Sequence, residues 1–134
     1  MRSEVFYVSK IDAAIDQIVG NARLFAGPTT AGTQYFERLA AKVFDRTTNM
    51  AASMSNHWRM QSGIDYHKSL DNIQVATLIA HGTQDPLFAF RHAEVLAHAL
   101  PHARLLPLIG VGHEIPPEQT WSLVVPELLA LTAE

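Results

Sequence analysis

Two short glycine-containing stretches each place one titratable side chain directly after an apolar run. HGTQDP (residues 81–86) carries Asp85, and GVGHE (residues 110–114) carries His113. A carboxylate that accepts the Nδ1–H of a histidine fixes the ring tautomer and stabilises the imidazolium, so that the histidine can act as a general base near neutral pH. Paired in this way, Asp85 and His113 could deprotonate a hydroxyl group or a water molecule.

Each residue also has a purely structural interpretation when it is taken alone. Asp85 followed by Pro86 is typical of a helix N-cap with proline at the first helical position. His113 beside Glu114 is consistent with a histidine on a surface loop. The catalytic interpretation depends on the pair, because the acid and then the histidine follow consecutive predicted strands, which is the end of the Ser…Asp/Glu…His order.

The elements that would position the pair lie in the second half of the chain. The apolar run IQVATLIA (residues 73–80) predicts a strand covered on both faces. A second strand is predicted over residues 103–109, where Pro107 favours a sheet edge. A helix ending before Pro101 separates them, and a last helix is predicted over residues 121–131. This order predicts two parallel strands, whose carboxyl ends meet at the edge where ligands bind in open α/β sheets.

The first half of the chain is predicted to be helical. Apolar residues recur at helical spacing between Ile11 and Val19 and again between Tyr35 and Phe44. The segment GPTTAG (residues 27–32) between them predicts a turn. A third helix with poor periodicity is predicted within residues 47–63.

Composition excludes several classes of protein. The 134 residues suffice for one domain, and a hydrophobic content of 48% suffices for a core. The net charge is -3 without any block of like charges, which argues against nucleic acid or an anionic membrane as partner. The chain has no cysteine, which excludes disulfides and a thiolate nucleophile. No apolar run has the length of a signal peptide core or of a membrane span, so a cytoplasmic protein is expected.

The stretch IQVATLIAHGTQDPLF followed by LLPLIGVGHEIPP resembles the C-terminal part of an α/β-hydrolase-fold enzyme, in the esterase branch that includes aclacinomycin methylesterase-like proteins. The resemblance implies an α/β fold, with Asp85 as the triad acid and His113 as the triad base. Residues 70–134 would supply strand, helix, strand and helix of the core. Residues 1–69 are similar to the helical cap of that family. The implied substrate is a small-molecule ester, and no cofactor is expected.

The chain departs from this family at the nucleophile. The family carries it in G-x-S-x-G, and none of the seven serines here has glycines at both required positions. The early oxyanion-hole loop and the core strands before the cap are also missing. The expected function is therefore the C-terminal part of a serine hydrolase, inactive alone, unless Met1 is an internal methionine of a longer protein. An aspartate nucleophile outside the chain would mean different chemistry with the same histidine.

An alternative function is a non-catalytic module derived from a hydrolase. Two parallel strands cannot cover their own faces, and their outer edges carry unpaired backbone groups. Such a module would self-associate or dock on a missing N-terminal half.

Other candidate residues have weaker support. His81 could join Asp85 and His113 in a metal site, but no known ligand spacing is present, so no metal is expected and His81 is interpreted as a packed histidine. His57 and Trp58 could face a substrate, although a core position is favoured. Two apolar residues that follow the pair could line the mouth of a pocket, namely Phe88 and Ile115.

Overall fold

The computed structural model describes residues 2–30, 32–59 and 70–133. The chain forms two compact units. The first comprises Met1–Leu24 and Ala31–Gly63, and the second comprises Phe25–Thr30 and Ile64–Glu134. The candidate residues Asp85 and His113 belong to the second unit, together with a short segment from the first half of the chain.

The described part of the first unit is helical, as predicted. Its helices are α1 (Arg2–Phe25), whose last residue belongs to the second unit, α2 (Thr33–Arg46) and α3 (Met50–Arg59). Val19 in α1 and both Phe36 and Ala40 in α2 are buried, which places them on the predicted apolar faces. Within the described ranges, none of the helices is long and apolar enough to cross a membrane.

The second unit contains a parallel pair of strands flanked by helices. Its elements are β1 (Thr77–Gly82), α4 (Arg91–Ala99), β2 (Ala103–Leu108) and α5 (Trp121–Thr132). The register runs from Thr77 opposite Ala103 to Gly82 opposite Leu108. The predicted α/β class with two parallel strands and flanking helices is confirmed. The last helix continues through Pro126 and extends to Thr132.

The first strand begins four residues later than predicted. Ile73–Ala76 are exposed and precede the strand, which starts where Thr77 N donates to His102 O at 3.0 Å. A strand needs a partner for its backbone groups, and β2 offers one only after the turn at Pro101 and His102. Pairing, and not the apolar run, therefore determines where β1 begins.

The helix between the strands also begins later than predicted. Helix α4 starts at Arg91, with Phe90 before it, so Asp85 is not its N-cap and the structural interpretation of Asp85–Pro86 is wrong. Residues 86–88 form bends instead. The backbone N–H groups of Leu87 and Phe88 are bonded to the Asp85 carboxylate, so this segment is a turn tied to one side chain and not the first helical turn.

The core of the second unit lies beside the carboxyl ends of the strands. Leu108, Val111 and Val124 are buried together, with Leu106 packed against them. The sheet itself is less covered: Ala80 in β1 is exposed, and in the rest of that strand only Gly82 is buried. The prediction of a strand covered on both faces is therefore wrong for the described residues.

Candidate active site

The two predicted site residues meet at the carboxyl ends of the parallel strands. Asp85 lies three residues after β1, and His113 lies five residues after β2. His113 Nδ1 is 2.8 Å from Asp85 Oδ2. Because a carboxylate only accepts hydrogen bonds, Nδ1 is the nitrogen that carries hydrogen in this pair. The neutral ring then has its lone pair on Nε2, the nitrogen that can take a proton from a substrate or a nucleophile.

The two members of the pair differ in exposure. The Asp85 side chain exposes 4% of its surface, whereas that of His113 exposes 42%. The His113 ring lies between two aromatic neighbours, edge-on to Phe25 at 6.3 Å and tilted to Phe88 at 5.5 Å between ring centres. The arrangement is a buried carboxylate behind an accessible imidazole, which suits an orienting acid and a working base.

Several contacts determine the pKa of Asp85. Burial of the carboxyl raises the pKa, but hydrogen bonds from the backbone N–H of Phe88, the His113 ring and the backbone N–H of Leu87 lower it, as does the positive charge of protonated His113. The hydrogen bonds and the charge outweigh burial, so the pKa of Asp85 lies below its ordinary value. Asp85 is therefore ionised at neutral pH.

This shift predicts a pH dependence of stability. A carboxyl with a lowered pKa in the folded state contributes stability that is present above its unfolded pKa of about 3.9 and is lost as the pH falls through the folded pKa. Asp85→Asn keeps an oxygen for the N–H groups of Leu87 and Phe88 but cannot ionise. We expect the free energy of unfolding to fall less steeply below about pH 4 in Asp85→Asn than in the wild type. Urea unfolding at a series of pH values measures this, and identical slopes would contradict the assignment.

His81 is a packed histidine of the strand end, as interpreted from the sequence. Its side chain exposes 18% of its surface and lies beside the ring of Phe90. His81 Nε2 is 3.0 Å from Phe88 O and 3.7 Å from Asp85 Oδ2. Since a carbonyl oxygen only accepts, Nε2 carries hydrogen and has no lone pair for a metal. His81 thus holds the turn that follows Asp85.

A cleft of about 430 Å³ opens beside the pair. This volume lies in the range of small-molecule sites. Phe88 and Ile115 line it and are 48% and 68% exposed, so both reach the cleft as expected from their positions after the pair. The other lining residues are Ala80, His81, Gly82, Asp85, Gly112, His113 and Glu114.

Sequence reasoning missed a second layer of contacts behind His113. His113 N donates to Phe25 O at 2.7 Å, and the Glu114 carboxylate accepts from Gly27 N at 2.9 Å. These partners are more than eighty residues away in the chain. The glycines of GPTTAG and GVGHE are consistent with close approach of another backbone segment. The sequence does not indicate that these two segments approach each other. The side chains of His57 and Trp58 lie outside the described residues.

Comparison with known proteins places the chain in a family. The profile of the alpha/beta hydrolase fold family matches residues 6–120. The match covers most of the chain, and the chain therefore belongs to the alpha/beta hydrolase fold family.

Two individual proteins show how much of the fold the chain spans. The AB hydrolase superfamily protein YisY of Bacillus subtilis (strain 168) is 31% identical over 88 residues, which cover 61% of this chain and 33% of that protein. A crystal structure of a candidate lipase (lip1) from Acinetobacter baumannii AYE is similar with a TM-score of 0.53 and 19% identity, over 92% of this chain and 47% of the other. At this identity the likeness concerns the fold alone. The chain spans a third to a half of the length of these proteins.

Proposed function

We propose that this chain carries the acid and the base of a serine-type α/β hydrolase that cleaves carboxylic esters. The observation that carries the proposal is the 2.8 Å contact between Asp85 Oδ2 and His113 Nδ1 at the carboxyl ends of consecutive parallel strands. Family membership supports it, because acid and then histidine in this order and at these strand ends is the arrangement of the hydrolase triad.

The chemistry follows from the free nitrogen of His113. Nε2 takes the proton of a serine hydroxyl that this chain does not supply, and the serine oxygen bonds to the ester carbonyl carbon. The imidazolium returns the proton to the departing alkoxide oxygen, which leaves an acyl-enzyme and an alcohol. A water molecule then attacks the acyl carbon while Nε2 takes its proton. The imidazolium returns this proton to the serine oxygen, and the carboxylic acid product is released. Asp85 remains ionised throughout and stabilises the imidazolium.

The substrate class rests on the resemblance and on the cleft. The resemblance to the aclacinomycin methylesterase-like branch implies a small-molecule ester as substrate. Such an ester suits a cleft of about 430 Å³ with exposed apolar side chains at Phe88 and Ile115. Such side chains bind the acyl or alcohol part by burying apolar surface. No cofactor has a role in this reaction.

Labelling with a fluorophosphonate tests the proposal. We expect no stoichiometric adduct on this chain by intact mass, because it lacks G-x-S-x-G. We expect one adduct on a protein that joins this chain to a G-x-S-x-G segment of the α/β-hydrolase fold, lost in His113→Ala. An adduct on the chain itself, dependent on His113, would place the nucleophile inside it. No adduct on either protein would contradict serine hydrolysis.

A second candidate function is a non-catalytic module that self-associates or docks on an N-terminal half of the hydrolase fold. It is supported by the exposed Ala80 of β1 and by large apolar side chains at the surface of the second unit. The most exposed of these, each above 50%, are Val75, Val95, Ile109, Ile115, Trp121, Leu123 and Leu129. Surfaces of this kind are typical of interfaces.

Light scattering distinguishes a self-associating or docking module from a domain that is stable as a monomer. We expect the purified chain to be a dimer or larger at micromolar concentration, because uncovered apolar surface is buried by association. Addition of an N-terminal half that contains the missing strands should convert it to a defined one-to-one complex. A folded monomer that does not bind such a partner would contradict the docking function.

A further inference from the structure

A short segment from the first half of the chain lies against the loop that carries His113. This segment, Phe25–Thr30, is here called the strap. Two backbone–backbone hydrogen bonds join it to the loop: His113 N donates to Phe25 O at 2.7 Å, and Thr29 N donates to Gly110 O at 3.3 Å. Gln119 Nε2 also donates to Thr29 O at 2.6 Å. The strap therefore holds the main chain of His113 itself.

The strap and the loop touch through glycines. A Cβ atom added to Gly112 would lie 2.1 Å from Phe25 O, and one added to Gly27 would lie 2.1 Å from Gly110 O. Both distances are far below any permitted contact, so the two backbones lie side by side with no room for a side chain.

Glu114 links the two segments through one oxygen atom. Oε1 accepts hydrogen bonds from Gly27 N at 2.9 Å and from Gly112 N at 3.1 Å. The hydroxyl of Thr30 donates to the same oxygen. Donors from the strap and from the loop thus converge on a single carboxylate, and hydrogen bonds to a charged acceptor are stronger than those to a neutral one. Oε2 is buried and has no hydrogen-bond partner among the described residues.

We propose that Glu114 is a positioning residue for His113. It holds the strap against the loop, and the strap in turn fixes His113 by two contacts: Phe25 O accepts the backbone N–H, and the Phe25 ring lies edge-on to the imidazole at 82°. With the strap in place, His113 Nδ1 stays within hydrogen-bond distance of Asp85. This role rests on the proposed function, because positioning matters for catalysis only if His113 is the base.

The tautomer of His113 is the readout that separates positioning from stability. Ring ¹⁵N chemical shifts, read at the high-pH plateau of a pH series, report which nitrogen carries hydrogen. Wild type should show mainly the Nδ1–H form, because Asp85 accepts that hydrogen. Asp85→Asn should lose this preference. Glu114→Ala should reduce the Nδ1–H fraction about twofold or more at temperatures where the variant remains folded. Glu118→Gln, an exposed carboxylate nearby, should leave the fraction unchanged.

Two milder variants keep the test decisive if Glu114→Ala does not fold. Glu114→Gln keeps one acceptor oxygen without charge, and Thr30→Val removes a single donor. Each should produce a smaller loss of the Nδ1–H form in the same direction. If all folded Glu114 and Thr30 variants melt earlier but keep the wild-type tautomer, Glu114 is only a stabilising residue and the proposal is overturned. If Asp85→Asn also leaves the tautomer unchanged, the acid–histidine pair fails, and the proposed function with it.

Discussion

Replacing His113 with alanine should lower kcat for ester hydrolysis by about a thousandfold or more in a protein that joins this chain to its nucleophile. The imidazole is the accessible group of the pair and has a lone pair on Nε2, so alanine at position 113 leaves the serine hydroxyl without this base. The ionised Asp85 would remain buried behind an empty space and could not substitute for it. Hydrolysis of p-nitrophenyl acetate by that joined protein measures the loss.

Asp85→Asn should cost activity of similar magnitude by a different route. The asparagine oxygen can still accept the N–H groups of Leu87 and Phe88, which lie 2.8 Å from Asp85 Oδ1. Its amide NH₂ group would then face His113 Nδ1 and favour hydrogen on Nε2, which removes the lone pair that acts as base. We expect kcat to fall by about 10³ to 10⁴ with little change in the fold.

A matched histidine provides the control for these substitutions. His98 lies in α4 and is exposed, so His98→Ala removes an imidazole without touching the pair. Its kcat should stay within about twofold of the wild type. Near-wild-type activity in either His113→Ala or Asp85→Asn would remove these residues from the reaction.

The largest expected effect on stability is that of Gly112→Ala. The added Cβ would lie 2.1 Å from Phe25 O, 2.5 Å from Gly27 N and 2.6 Å from Ala26 C. All three atoms are backbone, so no side chain can rotate to make room. Relief requires the strap to separate from the loop, with loss of the hydrogen bonds to Glu114. We expect the free energy of unfolding to fall by about 3 kcal/mol or more.

Gly20→Ala is the control with the same chemical change. Gly20 lies inside α1, and a Cβ there meets no atom within 4 Å. Alanine at such a position should stabilise the helix by about 0.5 to 1 kcal/mol. Urea unfolding of both variants measures the contrast. A Gly112→Ala protein as stable as the wild type would show that the strap does not pack on the loop as described.

Much of the site could be predicted from the sequence because its signals are local. An apolar run that ends in HGTQDP, and a second that ends in GVGHE, identify strands followed by glycine loops. Parallel strands bring their carboxyl ends to one edge, and so the meeting of Asp85 and His113 follows from strand order alone. Their roles in catalysis stay a prediction, as does the assignment of residues 1–69 as a cap.

The errors came where a partner distant in sequence decides a boundary. The run from Ile73 is apolar enough to be a strand throughout, but pairing with β2 is possible only from Thr77. Asp85–Pro86 has the local features of a helix start, but α4 begins at Arg91. One oxygen of the Asp85 carboxylate accepts from the turn at Leu87, and the other is bonded to His113. Local preference was overridden by a tertiary hydrogen bond in both cases.

The sequence by itself determined the fold class, the parallel strand order and the acid–histidine pair, since each depends on composition and spacing within some forty residues. Only the tertiary structure decided what lies behind His113. The bonds from Gly27 and Thr30 to Glu114 join residues more than eighty positions apart. No local pattern predicts such a contact. Glycines indicate that a segment can be approached closely by another backbone, but they do not indicate which segment that is. The strap and the loop come together only in the folded chain, because they are far apart in the sequence.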